Sequence, residues 1–264
     1  MSAQPIAGDF LSLLNEREIP SLRFGGTASA PVETQATTVF AFHFSDGVIM
    51  AGDRRATAGN LIVTDRVDKI IEIDSTSLLA IAGVPAVAFE MARVLQTSFE
   101  YYRRSQLQPL SLPAKVRALA RLLRENMSLT LQGVGVVVPL FAGVEHTHSA
   151  RPAIFFYDPL GAQFQAVGYS ASGSGAGVIR SLLSFQERYG SPKPSEMGLH
   201  HAVRFALRLL ITAAEFDSAT GGVDPAGGNF ATLRVLRPQG IETIDEAAQI
   251  EFLKSEPPPA ANPP

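Results

Sequence analysis

The chain has 264 residues, a formal net charge of −3 and no cysteine. Without cysteine, disulfides, thiolate catalysis and cysteine-bound zinc are excluded, and the slight negative charge leaves no basic stripe, so no nucleic-acid partner is expected. Hydrophobic residues, at 46% against 18% charged, supply a buried core with apolar area left over for subunit contacts.

The first segment carries Asp9, Glu16 and Glu18 and no basic start followed by an apolar run, so it does not read as a secretory signal. The longest apolar stretch, residues 133–144, contains Pro139 and is far too short to span a bilayer. A soluble, cytoplasmic protein with no membrane partner is expected.

Residues 37–44 alternate, with Thr38, Phe40, Phe42 and Phe44 on one face and Val39, Ala41 and His43 on the other, which predicts a strand. Ser45-Asp46-Gly47 is a turn signal and Val48-Ile49-Met50-Ala51 the returning strand. A second hairpin runs from Lys69 through Ile73, turns at Asp74-Ser75-Thr76 and returns over Leu78 to Gly83. Val84, Val87, Met91, Val94, Leu95 and Tyr102 then recur at helical spacing behind Pro85. Ser111 caps a second predicted helix with Val116, Leu119, Leu123 and Met127 on its apolar face and Lys115, Arg117, Arg121 and Arg124 mostly off it. Residues 133–144 read as a buried strand, and 153–157 with 163–167 as a hairpin about the turn 158–161. Helices follow Gly175 and Ser195, and residues 229–236 and 240–243 make a closing hairpin. The order, hairpins then two helices, hairpin then two helices, predicts an α+β fold of two antiparallel sheets between helix layers, αββα, because every apolar face must be covered. Residues 256–264 are proline-rich and predict a disordered tail, placed at 251–264 after a domain spanning 37–250.

Chemistry concentrates at one spacing. Asp53 lies sixteen positions after Thr37, and Lys69 sixteen further on. A threonine hydroxyl is a weak nucleophile that needs an adjacent base, and a free α-amino group on the same residue, with a reference pKa of about 7.7–8.0, can serve. A nearby lysine lowers neighbouring pKa values, and an aspartate beside it keeps it charged and oriented. Taken singly, each residue has a plain structural reading: a Thr-Thr pair with β-propensity, a solvated Asp-Arg-Arg loop, an edge-strand lysine, a helix stop at Asp217. Only the joint spacing overturns these. Gly173-Ser174-Gly175 lacks the lysine of a phosphate loop. His146 with His148, and His200 with His201, lack clustered carboxylates, so no metal and no cofactor is expected. A second junction at Gly26-Thr27 fails on register, since Asp53 and Lys69 would stand twenty-six and forty-two residues away.

The chain resembles the proteasome β-subunits, and within them the bacterial (actinobacterial-type) branch. The residues that carry the match are Thr37-Thr38, the run Gly52-Asp53-Arg54-Arg55-Ala56-Thr57-Ala58-Gly59-Asn60, Lys69, Ile81-Ala82-Gly83, Gly173-Ser174-Gly175 and Asp217-Ser218-Ala219-Thr220-Gly221-Gly222, in the family's order from Thr37 to about Asp245. The resemblance implies an N-terminal-nucleophile hydrolase fold and a threonine endopeptidase made as a precursor. Residues 1–36 would be a propeptide cut between Ala36 and Thr37. Thr37 would be the nucleophile and its own amine the base, supported by Asp53 and Lys69. Gly83 would donate its N–H to the oxyanion, worth about 3–4 kcal/mol in other enzymes. Ser174, Asp217 and Thr220 would surround the amine. Thr57 would pair with extended substrate as an added strand, with Arg55 nearby and Ile81 lining an apolar specificity pocket. Implied partners are a homo-oligomeric heptameric β-ring, proteasome α-subunit rings, a ring ATPase unfoldase and unfolded polypeptide substrates.

Two departures motivate an alternative, a catalytically inactive structural β-subunit in a mixed ring. Ala36 stands where the family has glycine, and its Cβ restricts φ at the cleavage point, which is expected to slow self-cleavage without forbidding it. Pro85 stands where the family has a residue whose N–H bonds substrate, and proline has no such donor. A third reading, the α-ring-free bacterial heat-shock peptidase of the same fold, fits less well, because its subunits are shorter and lack a long propeptide.

Overall fold

The computed structural model describes residues 37–58, 61–145 and 151–254. The expected leader at 1–36, His146, His148 and the proline run at 255–264 lie outside the described residues.

Strands β1 (Thr38–Phe44) and β2 (Gly47–Gly52) form the expected first hairpin. A small two-stranded sheet, β3 (Ala56–Ala58) with β4 (Leu61–Thr64), follows it, and β5 (Ile70–Asp74) and β6 (Ser77–Ala80) make the second long hairpin. Helices α1 (Pro85–Gln106), α2 (Leu112–Glu125) and the short α3 (Met127–Leu131) precede β7 (Leu140–Gly143), β8 (Ala153–Tyr157), β9 (Gln163–Ala166) and β10 (Tyr169–Gly173). Then come α4 (Ala176–Tyr189), a 3-10 turn at Pro194–Glu196, α5 (Leu199–Phe216), β11 (Thr232–Arg237), β12 (Gly240–Thr243) and α6 (Glu246–Lys254).

Two five-stranded antiparallel sheets result, ordered β10-β1-β2-β11-β12 and β5-β6-β7-β8-β9. Three apolar layers hold them. Phe40, Phe42 and Ile49 of the first sheet pack against Ile179, Leu183 and Leu210 of α4 and α5. Leu79 and Phe141 of the second pack against Leu95 and Leu119 of α1 and α2. Between the sheets, Val39, Ala41 and Met50 meet Ile70, Leu78 and Leu140. This is the four-layer αββα sandwich. Each fully buried Phe, Leu or Ile contributes about 1.5–3 kcal/mol, and β1 is apolar at both parities because both of its faces are covered.

Several boundaries differ from the sequence reading. Of residues 133–144 only Leu140–Gly143 is strand; Pro139 has no N–H for a ladder, and the segment before it makes one bridge, Gly83 to Val137. The residues Tyr-Ser-Ala-Ser-Gly at 169–173 carry no apolar alternation, yet they form β10, because β1 offers a free edge. Ser195 lies in the 3-10 turn, and Gly198 is the N-cap of α5. Ser111 does precede α2, but its hydroxyl makes no capping bond; the Glu145 carboxylate accepts the Leu112 N–H at 2.9 Å instead. Residues 251–254, placed in the tail, end α6, where Phe252 and Leu253 pack against the core of α4 and α5. Among the described residues no helix is long and apolar enough to cross a membrane.

Lys115, expected mostly off the apolar face of α2, is only 1% exposed. Its Nζ lies 2.6 Å from Asp74 Oδ2, donates to Thr76 Oγ1 at 2.8 Å and stands over the Phe99 ring. The turn between β5 and β6 is thus clamped to α2. Burial pushes the Asp74 carboxyl up, but the bond and charge of Lys115, the Ser77 hydroxyl and the Thr76 N–H outweigh it and hold the group below its usual range. A carboxyl depressed in the folded state stabilises the fold above its unfolded pKa, about 3.9, and that contribution vanishes as pH falls through the folded value. Lys115→Met is therefore expected to cost about 2 kcal/mol near pH 7, with the gap to wild type closing below pH 4 in thermal or denaturant unfolding.

Candidate active site

Thr37 immediately precedes β1, and its carbonyl accepts the Ser174 N–H at 3.0 Å. That contact requires Gly173, whose φ is +97° and at which a Cβ would fall 1.5 Å from the Thr37 carbonyl oxygen. β10 therefore aligns Ser174 beside Thr37.

Asp53 follows the last residue of β2, and its N–H returns to the Thr38 carbonyl at 3.1 Å. The carboxylate, 1% exposed, accepts four donors. Oδ1 takes the Thr38 N–H and Lys69 Nζ, each at 2.8 Å, and Oδ2 takes the Arg55 and Gly221 N–H groups, each at 3.0 Å. Lys69, 2% exposed just before β5, makes its second bond to the Arg55 carbonyl at 2.6 Å. Burial lowers the Lys69 pKa, and the opposing charge and bond of Asp53 do not fully offset it.

A second cluster approaches from the helical side. Asp217, the C-cap of α5, receives the Ser174 hydroxyl at 2.5 Å and the Thr220 hydroxyl at 2.6 Å on Oδ2, and the Ala219 N–H at 3.1 Å on Oδ1. Burial raises this carboxyl, but these bonds and the charge of Lys69 together hold it below the ordinary carboxylate range. The Thr220 hydroxyl also lies 2.6 Å from that of Thr38, which accepts the Gly175 N–H at 2.9 Å.

Gly83 faces Val137 in a bridge flanked by Val84 N–H to Val136 O and Val138 N–H to Ala82 O, both 2.9 Å. In such a pair the two residues' own N–H groups point away from each other, which leaves that of Gly83 directed outward. Its φ of +112° and a Cβ position 2.1 Å from the Val136 oxygen require glycine. Thr37 and Gly83 border one cavity of about 770 Å³, whose walls include Ser172, Ser174, Phe156 and Tyr169.

The structure thus brings together Thr37, Asp53, Lys69, Gly83, Ser174, Asp217 and Thr220. Three further expected residues take these places. Ile81, just past β6, is buried with Leu79 against α1 and α2 and does not line this cavity. Arg55 is a clamp: its Nε donates to Asp65 Oδ1 at 2.9 Å and its Nη1 to the Ser218 and Thr220 carbonyls at 3.2 and 3.5 Å. Thr57 is buried in β3, paired with Ile62. Ala36 lies outside the described residues. Pro85 opens α1 without disturbing it. Sequence reasoning named Thr38, Gly175 and Gly221 among the matching motifs but gave them no role in the site. The available signal was a threonine at the parity of Phe40 and Phe42, a hydroxyl where the strand buries apolar side chains.

The sequence model of the family described as proteasome subunit matches residues 33–224, which include every residue of this cluster. The chain belongs to the proteasome subunit family. It is 37% identical over 240 residues to a proteasome subunit beta of Acidimicrobium ferrooxidans, covering 90% of this chain and 85% of that protein. Similar relatives, each a proteasome subunit beta, come from Streptomyces griseus, at 33% identity over 94% of this chain and 85% of the relative, and Acidothermus cellulolyticus, at 34% over 89% and 80%. The proteasome match stops at residue 224, while β11, β12 and α6 complete the same sheet and core beyond it.

Because Asp53 and Lys69 are both buried, Asp53→Asn leaves a desolvated ammonium facing an amide that accepts at only one atom. A loss of about 3–5 kcal/mol in denaturant unfolding is expected. Lys69→Met, which removes the charge with its stem retained, should recover part of that loss when combined with it.

Proposed function

We propose that the chain is the proteolytic β-subunit of a proteasome core particle and that Thr37 becomes its catalytic N-terminus when residues 1–36 are removed. The observation that carries this reading is the convergence of two hydrogen-bonded clusters, Lys69–Asp53 and Ser174–Asp217–Thr220, on the Thr37-Thr38 step at the mouth of a cavity. An inactive subunit has no chemical need for a buried lysine–aspartate pair, which is costly to desolvate.

In the mature chain the freed α-amine of Thr37, with a reference pKa of about 7.7–8.0, takes the proton of its own hydroxyl as the oxygen attacks a peptide carbonyl carbon. The charge that develops on the carbonyl oxygen is met by the outward N–H of Gly83. The ammonium returns its proton to the departing amine, leaving an ester on Thr37 Oγ1. Water, deprotonated by the same amine, then attacks the ester, and the ammonium returns that proton to Thr37 Oγ1 as the acid leaves. Lys69 keeps the local field positive and Asp53 holds it in place, while Ser174 and Asp217 orient the amine. Maturation uses the same hydroxyl but not the same base, because the Thr37 nitrogen is then part of the Ala36–Thr37 amide. The Thr37 hydroxyl attacks the Ala36 carbonyl, its proton passes to the Thr37 nitrogen as the C–N bond breaks to give an ester and a free amine, and water hydrolyses that ester to release the leader.

The relatives' shared name, proteasome subunit beta, supports assembly into a proteasome, in which we infer that α-subunits are partners. Further proposals are a homo-heptameric β-ring, a ring ATPase that delivers unfolded polypeptides, and a cytoplasmic location. The protease domain runs from Thr37 through α6, four residues beyond the boundary drawn at 250. Ala36 and the missing donor at Pro85 favour the second reading, an inactive subunit of a mixed ring.

N-terminal sequencing of the assembled particle separates the two. A chain beginning at Thr37 supports the peptidase, and an uncut leader supports the structural subunit. Thr37→Ala is expected to retain the leader and lose all peptidase activity, read by intact mass and peptide turnover. Ala36→Gly should shorten the maturation half-time; an unchanged time course would remove Ala36 as a kinetic obstacle.

A further inference from the structure

Thr38 is fully buried at the start of β1, on the face that otherwise carries Phe40, Phe42 and Phe44. A hydroxyl at such a position costs free energy unless it is paired. It is paired twice. Thr38 Oγ1 accepts the Gly175 N–H at 2.9 Å and lies 2.6 Å from Thr220 Oγ1. The space is built for this pair of hydroxyls, since a Cβ at Gly175 would come within 2.6 Å of one and 2.7 Å of the other.

Proton counting sets the direction of the chain. Each hydroxyl has one proton, and an ionised carboxylate only accepts. Thr220 Oγ1 lies 2.6 Å from Asp217 Oδ2, so its proton goes to Asp217. The proton between Thr38 and Thr220 must then belong to Thr38. The order is Gly175 N–H to Thr38, Thr38 O–H to Thr220, and Thr220 O–H to Asp217, which also receives the Ser174 hydroxyl. Each donation polarises the next. The backbone N–H of the same residue donates to Asp53 Oδ1 at 2.8 Å, beside Lys69.

We propose that Thr38 is a positioning residue for the reaction at Thr37: its N–H registers the Asp53–Lys69 pair, and its hydroxyl, donating to Thr220, anchors the Thr220–Asp217–Ser174 chain whose direction the Asp217 carboxylate sets. A single residue thereby locks both sides of the adjoining nucleophile. This rests on the reading of Thr37 given above. Thr38 touches no substrate, so its loss should weaken the chemical step rather than binding. The β-branched valine preserves its shape and removes both hydroxyl bonds.

The test uses the full chain in its assembled particle and a fluorogenic peptide amide. Intact mass first establishes that wild type and variants begin at Thr37. Thr38→Val is expected to lower kcat about tenfold, the effect of one lost buried hydrogen-bond partner, with KM within about twofold. Thr38→Ser, which keeps the hydroxyl, should restore kcat to within about threefold of wild type. Thr220→Val should resemble Thr38→Val, and the double variant should be no worse than Thr220→Val alone, because the two act through one chain. Thr38→Ala, which only removes atoms, gives the same comparison with Thr38→Ser if the valine variant does not assemble. Wild-type kcat in Thr38→Val or Thr38→Ala, a serine variant no better than either, or additive losses with Thr220→Val would each overturn the proposal. Active wild-type particles that do not begin at Thr37 would instead overturn the reading of the nucleophile.

Discussion

A carboxylate with almost no access to water holds the site in place. Asp53 accepts from the Thr38, Arg55 and Gly221 backbone and from Lys69, so one side chain joins the start of β1, the end of β2, the loop after α5 and the residue before β5. An ion buried this deeply is tolerable only when each lone pair is used, and four donors on two oxygens meet that condition. The same demand makes the geometry nearly rigid, because moving any one of the four segments would orphan a charge. Among the described residues Lys69 bonds to Asp53 and the Arg55 carbonyl, and its burial, which the charge and bond of Asp53 do not fully offset, weakens its hold on a proton.

The sandwich supplies the stiffness around this point. β1 has a packed core on each face, and Thr37 is the residue just before it. Sheet and helices then reach Thr37 from different directions: β10 through Ser174, the C-terminus of α5 through Asp217, the Gly83 bridge across the cavity. Arg55 closes the arrangement by tying Asp65 to the carbonyls of residues 218 and 220. Functional groups on four rigid elements can be held more closely than groups on one loop.

The end of the described chain takes part in the same support. Arg54, next to Asp53, pairs with Glu246 of α6 at 2.5 Å. Gln249, fully buried, accepts the Ala231 N–H at 3.1 Å and donates to the Ala231 and Ile244 carbonyls at 3.0 and 3.2 Å. A neutral amide thus substitutes for a missing strand neighbour at the start of β11. Nothing in the local sequence of α6, with its weak amphipathic pattern, signals this, and residues 251–254 read as tail because the prolines beyond them dominate the composition.

Local chemistry was legible in the chain itself. Alternation pointed to β1, the turn signal after it to β2, helical spacing to α1, α4 and α5, and the equal intervals from Thr37 to Asp53 to Lys69 to the candidate cluster, because backbone periodicity and residue type are properties of short segments. What depended on the tertiary structure were the relations between segments distant in sequence: β10 as a strand, Lys115 as a buried clamp, Ile81 in the core rather than the cavity, Arg55 as a brace, and Thr38 as the hinge between two networks. None of these has a local signature. Each is decided by which edge, charge or hydroxyl the folded chain places opposite it, and partners such as Thr38 and Thr220 stand 182 residues apart.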